Sequence, residues 1–185
     1  FTAPDPPPTQ STDGAPNVGV SFVLRDSATP ERHQIEPMVG GVAVFDYNND
    51  NRPDIYFVNG ADQPGLDKPD PSFYNRLYRD NGDSTFSDVT LSAGVRGIGF
   101  ATGVAAADYD NDGFVDLFVA GVNCNILYRN RGNGTFEDVT RKAGLVHDPA
   151  RRKPWSISAG WFDYDNDGDL DLFVVNYCVW IPEKE

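Results

Sequence analysis

The stretch DYDNDGFVD, residues 108–116, carries aspartate at its first, third, fifth and ninth positions and glycine at its sixth. Like charges this close repel unless something of opposite sign is shared among them. The same spacing returns in DYNNDNRPD, residues 46–54, and in DYDNDGDLD, residues 163–171. Three copies at matching offsets mark a repeated device rather than a single solvated turn.

A hard dication such as Ca²⁺ takes roughly 6–8 oxygen ligands, many of them carboxylates. On a tight loop, positions one, three, five and nine can point inward, joined by the carbonyl of position seven. In loop one these are Asp46, Asn48, Asp50 and Asp54 with the carbonyl of Arg52. In loop two they are Asp108, Asp110, Asp112 and Asp116 with the carbonyl of Phe114. In loop three they are Asp163, Asp165, Asp167 and Asp171 with the carbonyl of Asp169. The spacing thus predicts three Ca²⁺ sites. Position six needs a sharp turn, which Gly113 and Gly168 make without a Cβ penalty. Asn51 stands there in loop one, and asparagine also tolerates a left-handed backbone.

An EF-hand begins the same way but needs a glutamate at position twelve and flanking helices. Position twelve is Phe57, Val119 or Val174. The flanks read as strands: GGVAVF and IYFVNG, GVAAA and LFVAGV, SAGWF and LFVVNY. Each acidic loop therefore joins two strands.

A second repeated element lies between the loops. LYRDNGDSTFSDVTLSAG (77–94) and LYRNRGNGTFEDVTRKAG (127–144) match at an offset of fifty, so that Tyr78 corresponds to Tyr128 and Phe86 to Phe136. Each reads as strand, turn, strand, with Asn81-Gly82 and Gly132-Asn133-Gly134 as the hairpin signals. Asn133-Gly134-Thr135 also fits a glycosylation acceptor, but the turn already accounts for it. The longer spacing between loops one and two comes from an insertion, ADQPGLDKPDPS, at 61–72. Four antiparallel strands in about fifty to sixty residues form a propeller blade, so the fold class expected is an all-β partial β-propeller. The expected division is a Pro-rich disordered leader at 1–16, an N-terminal strand segment at 17–37 with its strand near 19–26, and blade 1 at 38–98. Blade 2 follows at 99–153, and the first half of blade 3 at 154–185. The first strand of each unit is rich in small residues, as inner strands crowding a central channel require. Tyr47, Tyr109 and Tyr164, at loop position two, are expected to pack against neighbouring blades. Closure takes at least four blades, so the remaining blades or a protein partner must complete the propeller.

The 28 acidic and 15 basic residues give a net charge of −13, and the three loops hold twelve aspartates, so the acidity is ligand supply. That balance speaks against nucleic acid and anionic lipid. No apolar run reaches the ~18 residues that span a bilayer. The first residue is Phe1, which points to a processed N-terminus, and Ca²⁺ sites suit an exported protein in the periplasm or outside the cell. Cys124 and Cys178 occupy near-equivalent places in successive repeats, either as a disulfide or as two buried thiols. His33 and His147 are the two histidines, and no catalytic constellation surrounds them. One basic, aromatic patch, Arg151, Arg152, Lys153 and Trp155, is the candidate contact for a protein partner.

The three loop segments with their flanking strands resemble the FG-GAP/VCBS repeats of integrin-alpha-like β-propellers. The interleaved LYRNRGNGTFEDVTRKAGL is similar to a bacterial branch related to cartilage acidic protein. The resemblance implies Ca²⁺ in the acidic loops, a seven-bladed propeller, export, and a role in adhesion or protein–protein recognition. Two other roles remain open beside it: an accessory subunit of a larger, membrane-associated complex, and a propeller enzyme whose active site lies outside this stretch.

Overall fold

A computed structural model describes residues 14–30, 33–146 and 154–179. Each acidic loop joins two antiparallel strands, and the loop closes on the same rung in every copy. Phe45 pairs Asp54, Ala107 pairs Asp116 and Phe162 pairs Asp171. The residue before position one thus faces position nine, and the intervening turn is held at both ends by a ladder.

The first sheet runs β1 (Gly41–Phe45), β2 (Asp54–Val58), β3 (Arg76–Asp80) and β4 (Phe86–Asp88), each antiparallel to the next. The second repeats the order with β5 (Phe100–Ala107), β6 (Asp116–Val122), β7 (Ile126–Asn130) and β8 (Phe136–Asp138). The third unit contributes β9 (Pro154–Phe162) and β10 (Asp171–Val179), tied to the second by the pair Val122 and Trp155. This nearly all-β arrangement is that of a partial β-propeller.

The β3–β4 and β7–β8 turns are built as the Asn/Gly signals require. Asn81 N donates to Thr85 O at 2.9 Å and Arg131 N to Thr135 O at 3.0 Å. Asn133 Oδ1 accepts from both the backbone N and the hydroxyl of Thr135, so this asparagine is occupied by the turn. A short helix α1 (Thr90–Ala93), not anticipated from the sequence, follows β4. The Thr90 hydroxyl oxygen accepts from Leu77 N, and that of Thr140 accepts from Leu127 N in the next repeat, which locks each turn onto its sheet.

The sheets stack face against face. Ala43, Phe45, Tyr56 and Val58 on the outgoing face of the first meet Val104, Ala106, Leu117 and Val119 on the incoming face of the second. Phe118 and Ala120 of the second then meet Ala159, Trp161, Leu172 and Val174 of the third. The small residues of the inner strands are explained by contact distance. A Cβ on Gly41 would lie 3.1 Å from Gly103 Cα, and one on Gly103 would lie 2.6 Å from Ile157 O, closer than packed atoms come.

The strand expected near 19–26 is not one. The described part of that segment lies across the face of the first sheet instead of along its edge, so it meets side chains rather than a free ladder. Phe22 stacks on Phe57 with centroids 4.7 Å apart. Arg25 N donates to Asn59 Oδ1 at 2.7 Å, and Asn59 Nδ2 donates to Val23 O at 3.3 Å. The insertion is pinned by Lys68, whose Nζ donates to the carbonyls of Asn59, Gly60 and Phe73 at 2.6–2.9 Å. Burial pulls the Lys68 ammonium down to about 7.

Candidate metal centre

The acidic loops are held first by their own carboxylates. In each, the aspartate at position one accepts the backbone N–H groups of positions five and six: Asp46 from Asp50 and Asn51, Asp108 from Asp112 and Gly113, Asp163 from Asp167 and Gly168. Position five accepts the N–H of position seven, as Asp112 does from Phe114 at 3.0 Å. Position nine accepts the N–H of the tyrosine at position two, and in the two complete repeats it also takes one N–H from the end of the third strand. Asp54 binds Tyr47 N and Asp80 N, and Asp116 binds Tyr109 N and Asn130 N. Asp171 binds Tyr164 N at 2.8 Å.

Asp54 and Asp116 are fully buried, whereas Asp171 is exposed. Burial raises the Asp54 carboxyl and pushes that of Asp116 up to about 6, against the lowering effect of their backbone N–H bonds. A carboxylate buried beside others of its sign is stabilised by a shared cation.

Two loops gather their carboxylates. Asp108, Asp110 and Asp116 bring one oxygen each within 4.8 Å of one another, and so do Asp163, Asp165 and Asp171. The donors fit a Ca²⁺ ion: hard oxygens on a flexible loop, with the carbonyl of position seven at the turn. Loop one is arranged differently. Asp46, Asp50 and Asp54 do not form such a cluster. Arg52 Nη2 pairs with Asp50 Oδ2 at 2.5 Å and Asn48 Nδ2 donates to the same oxygen at 2.9 Å. Burial raises Asp50, but these hydrogen bonds outweigh it and hold the carboxyl below its usual range. The amide oxygen of Asn48 is nonetheless buried without a partner, at position three where an ion would take a ligand. A buried acceptor left open costs free energy, so loop one keeps one donor oxygen fitted for a cation.

In loop two, Arg129 reaches over from β7 and pairs with Asp110 at 2.5 Å and Asp112 at 2.8 Å. Loop three has no such arginine among the described residues. The sequence also hid a second left-handed position. Asn49, Asn111 and Asn166, all at position four, have φ of 56°, 55° and 62°. The signal for it is an asparagine at position four in all three copies, beside the Gly or Asn at position six that already makes a turn. Two of these side chains join one loop to the next: Asn49 Nδ2 donates to Gly113 O at 2.8 Å and Asn111 Nδ2 to Asp169 Oδ1 at 3.1 Å. The acidic loops therefore form a linked row. The tyrosines at position two pack across the same joints. Tyr47 stacks on Phe136 at 6.3 Å and Tyr109 on Trp161 at 5.5 Å.

The model of an FG-GAP-like repeat matches residues 46–119 and 108–174, each match running from one acidic loop across the next. The chain belongs to the FG-GAP-like repeat family. The overlap of the two matches at 108–119 falls on loop two, which is shared by both joints. Repeats of this family are generally non-catalytic. A search of curated proteins found no match.

Of the expected basic contact patch, Trp155 alone falls within the described residues. Arg151, Arg152 and Lys153 lie outside the described residues, as does His147. Trp155 is fully buried, packed edge-on against Tyr177 at 5.3 Å, and so offers no surface to a partner. Its position at the junction of β6 and β9 explains this, because an aromatic there fills the seam between repeats. No disulfide joins Cys124 to Cys178, and Cys178 is exposed rather than buried. No helix among the described residues is long and apolar enough to cross a membrane.

Proposed function

We propose that this chain is a non-catalytic, Ca²⁺-stabilised recognition or assembly module that works outside the cytoplasm, where free Ca²⁺ is plentiful. The observation that carries the reading is the convergence of Asp108, Asp110 and Asp116, and of Asp163, Asp165 and Asp171, on loops already shaped by their own N–H bonds. Loop one is the third and weakest site of the set, with Asn48 as its neutral ligand. Bound ions supply the charge that holds the loop row together, since each loop touches the next. Further blades or a protein partner complete the propeller, and variable connections such as the 61–72 insertion supply contacts to what it recognises.

Calorimetric titration with Ca²⁺ and with Mg²⁺ tests this. Heat on Ca²⁺ addition that Mg²⁺ at equal concentration does not reproduce supports the reading, because the flexible carboxylate set suits Ca²⁺ better than an octahedral hydrated ion. No binding of either ion refutes it.

A further inference from the structure

The acidic loops touch at two joints, and both joints use the residue at position four. Asn49 Nδ2 donates to Gly113 O at 2.8 Å, and Asn111 Nδ2 donates to Asp169 Oδ1 at 3.1 Å. Position four lies between the ligand positions three and five. Both asparagines are left-handed there, with φ of 56° and 55°, so the backbone that seats those ligands also aims the amide.

The receiving end is alike as well. Position six or seven of the next loop takes the bond, and position seven is the residue whose carbonyl serves the ion. The Gly113 carbonyl belongs to the peptide whose N–H, that of Phe114, donates to Asp112 Oδ1 at 3.0 Å. A peptide held at its oxygen donates more strongly through its N–H. Asn49 therefore steadies Asp112, at position five of loop two, without touching it. In loop three, Asp169 N donates to Asp167 Oδ1 at 2.9 Å, so Asn111 grips the residue that positions Asp167. The first joint has a second link. Asn130 Nδ2 donates to Tyr47 O in loop one at 2.8 Å, while its backbone N donates to Asp116 Oδ1 in loop two at 2.7 Å. Asn130 is fully buried, so this bridge is shielded from water.

We infer that Asn49 and Asn111 are positioning residues that couple the Ca²⁺ sites, so that filling one loop favours filling the next. The inference rests on the Ca²⁺ reading above. In an empty loop the carboxylates repel, and positions three to five spread. An ion clamps positions three and five, which fixes position four and the amide it carries. The next loop then meets an ordered donor, and less ordering is left for its own ion to bring about. The coupling is reciprocal, as linkage requires, so a filled loop two also favours loop one.

The test is a Ca²⁺ titration followed by ¹⁵N–¹H NMR, on the whole chain and on Asn49→Gly, Asn111→Gly and Asn166→Gly. The amides of Asn51, Gly113 and Gly168, all at position six, report loops one, two and three separately. Glycine keeps the left-handed backbone and removes the side-chain amide, so a variant loses the link and not the turn. Asn166 makes no loop-to-loop bond among the described residues and serves as the control. In the parent chain, the Gly113 and Gly168 signals should titrate together and more steeply than a single site. Asn111→Gly should separate them and raise at least one midpoint about three- to tenfold, the worth of one hydrogen bond. Asn49→Gly should leave that pair coupled and move the Asn51 signal to higher Ca²⁺, by a smaller factor because Asn130 still bridges the joint. Asn166→Gly should keep Gly113 and Gly168 titrating together. Independent titration of those two signals in the parent, or an Asn111→Gly response as steep as the parent's, overturns the coupling and leaves the Ca²⁺ reading standing. Signals that do not move at all overturn both.

Discussion

Loops two and three carry aspartate at the same first, third, fifth and ninth positions and the same glycine, loop three adding Asp169 at position seven, and their backbones bend alike, with Asn111 and Asn166 both left-handed and Asp108 and Asp163 each accepting two N–H groups. Yet Asp116 is buried and Asp171 exposed. The difference lies outside the nine residues. The second repeat has a third strand, whose Asn130 N reaches Asp116, and a following repeat, whose Trp161 covers Tyr109. The third has neither among its described residues. The nine-residue pattern therefore specifies the shape of the loop, while burial and the stiffness that comes with it are supplied by neighbours.

Metal removal should have the largest effect. A ligand that binds only the folded state at one hundred times its dissociation constant adds about 2.7 kcal/mol per site. Thermal unfolding with chelator should lie well below that in Ca²⁺, and Asp110→Asn and Asp165→Asn should each shrink the gap. Position three is chosen because it carries none of the backbone N–H bonds that shape loops two and three. An equal melting point in chelator and Ca²⁺ would remove the metal from the account.

Next is the anchor at position nine. Asp116→Ala strands the N–H groups of Tyr109 and Asn130, one of them deep in the sheet, at a cost of about 2–4 kcal/mol. Asp171→Ala, at an exposed carboxylate with one such bond, should cost about 1 kcal/mol or less. Urea unfolding of the two variants compares them, and equal losses would break the contrast between repeats.

The inner strands give a third comparison. Gly103→Ala drives a methyl group against Ile157 O and should cost about 1–3 kcal/mol by overpacking. Gly160, on the open third repeat, has nothing within 4 Å of the position its Cβ would take, so Gly160→Ala should stay within about 0.5 kcal/mol of the parent.

Much of this was legible in the sequence. The acidic offsets and the fifty-residue echo fixed the strand order, the loops and the hairpin turns, because those depend on residues close together in the chain. What stayed hidden depends on tertiary neighbours. Residues 19–26 look like a strand, being apolar and β-branched, but Phe22 and Arg25 are used on the face of the first sheet. Trp155 looks like a surface anchor beside three basic residues, but it fills the seam between repeats. Arg129 carries no motif, and only the fold brings it to Asp110 and Asp112.

The smallest effects concern affinity. Loop one, with Asn48 in place of a carboxylate and Asp50 held by Arg52, should fill last, and Asn48→Asp should tighten it. Arg129 must yield Asp110 and Asp112 to an ion, and an exposed pair of this kind is worth less than about 1 kcal/mol, so Arg129→Gln should tighten loop two by about two- to fivefold. Calorimetry at limiting Ca²⁺ ranks the sites. If loop one fills first, preorganisation by Pro53 outweighs carboxylate count.

A crystal structure grown in millimolar Ca²⁺, with anomalous scattering to identify the ion, tests the central claim most directly. The account predicts an ion within about 2.3–2.6 Å of the carboxylates of Asp108 and Asp110, and another at Asp163 and Asp165, with the Arg129 guanidinium displaced. Water alone in those loops, or Arg129 still spanning Asp110 and Asp112 at saturating Ca²⁺, would contradict it.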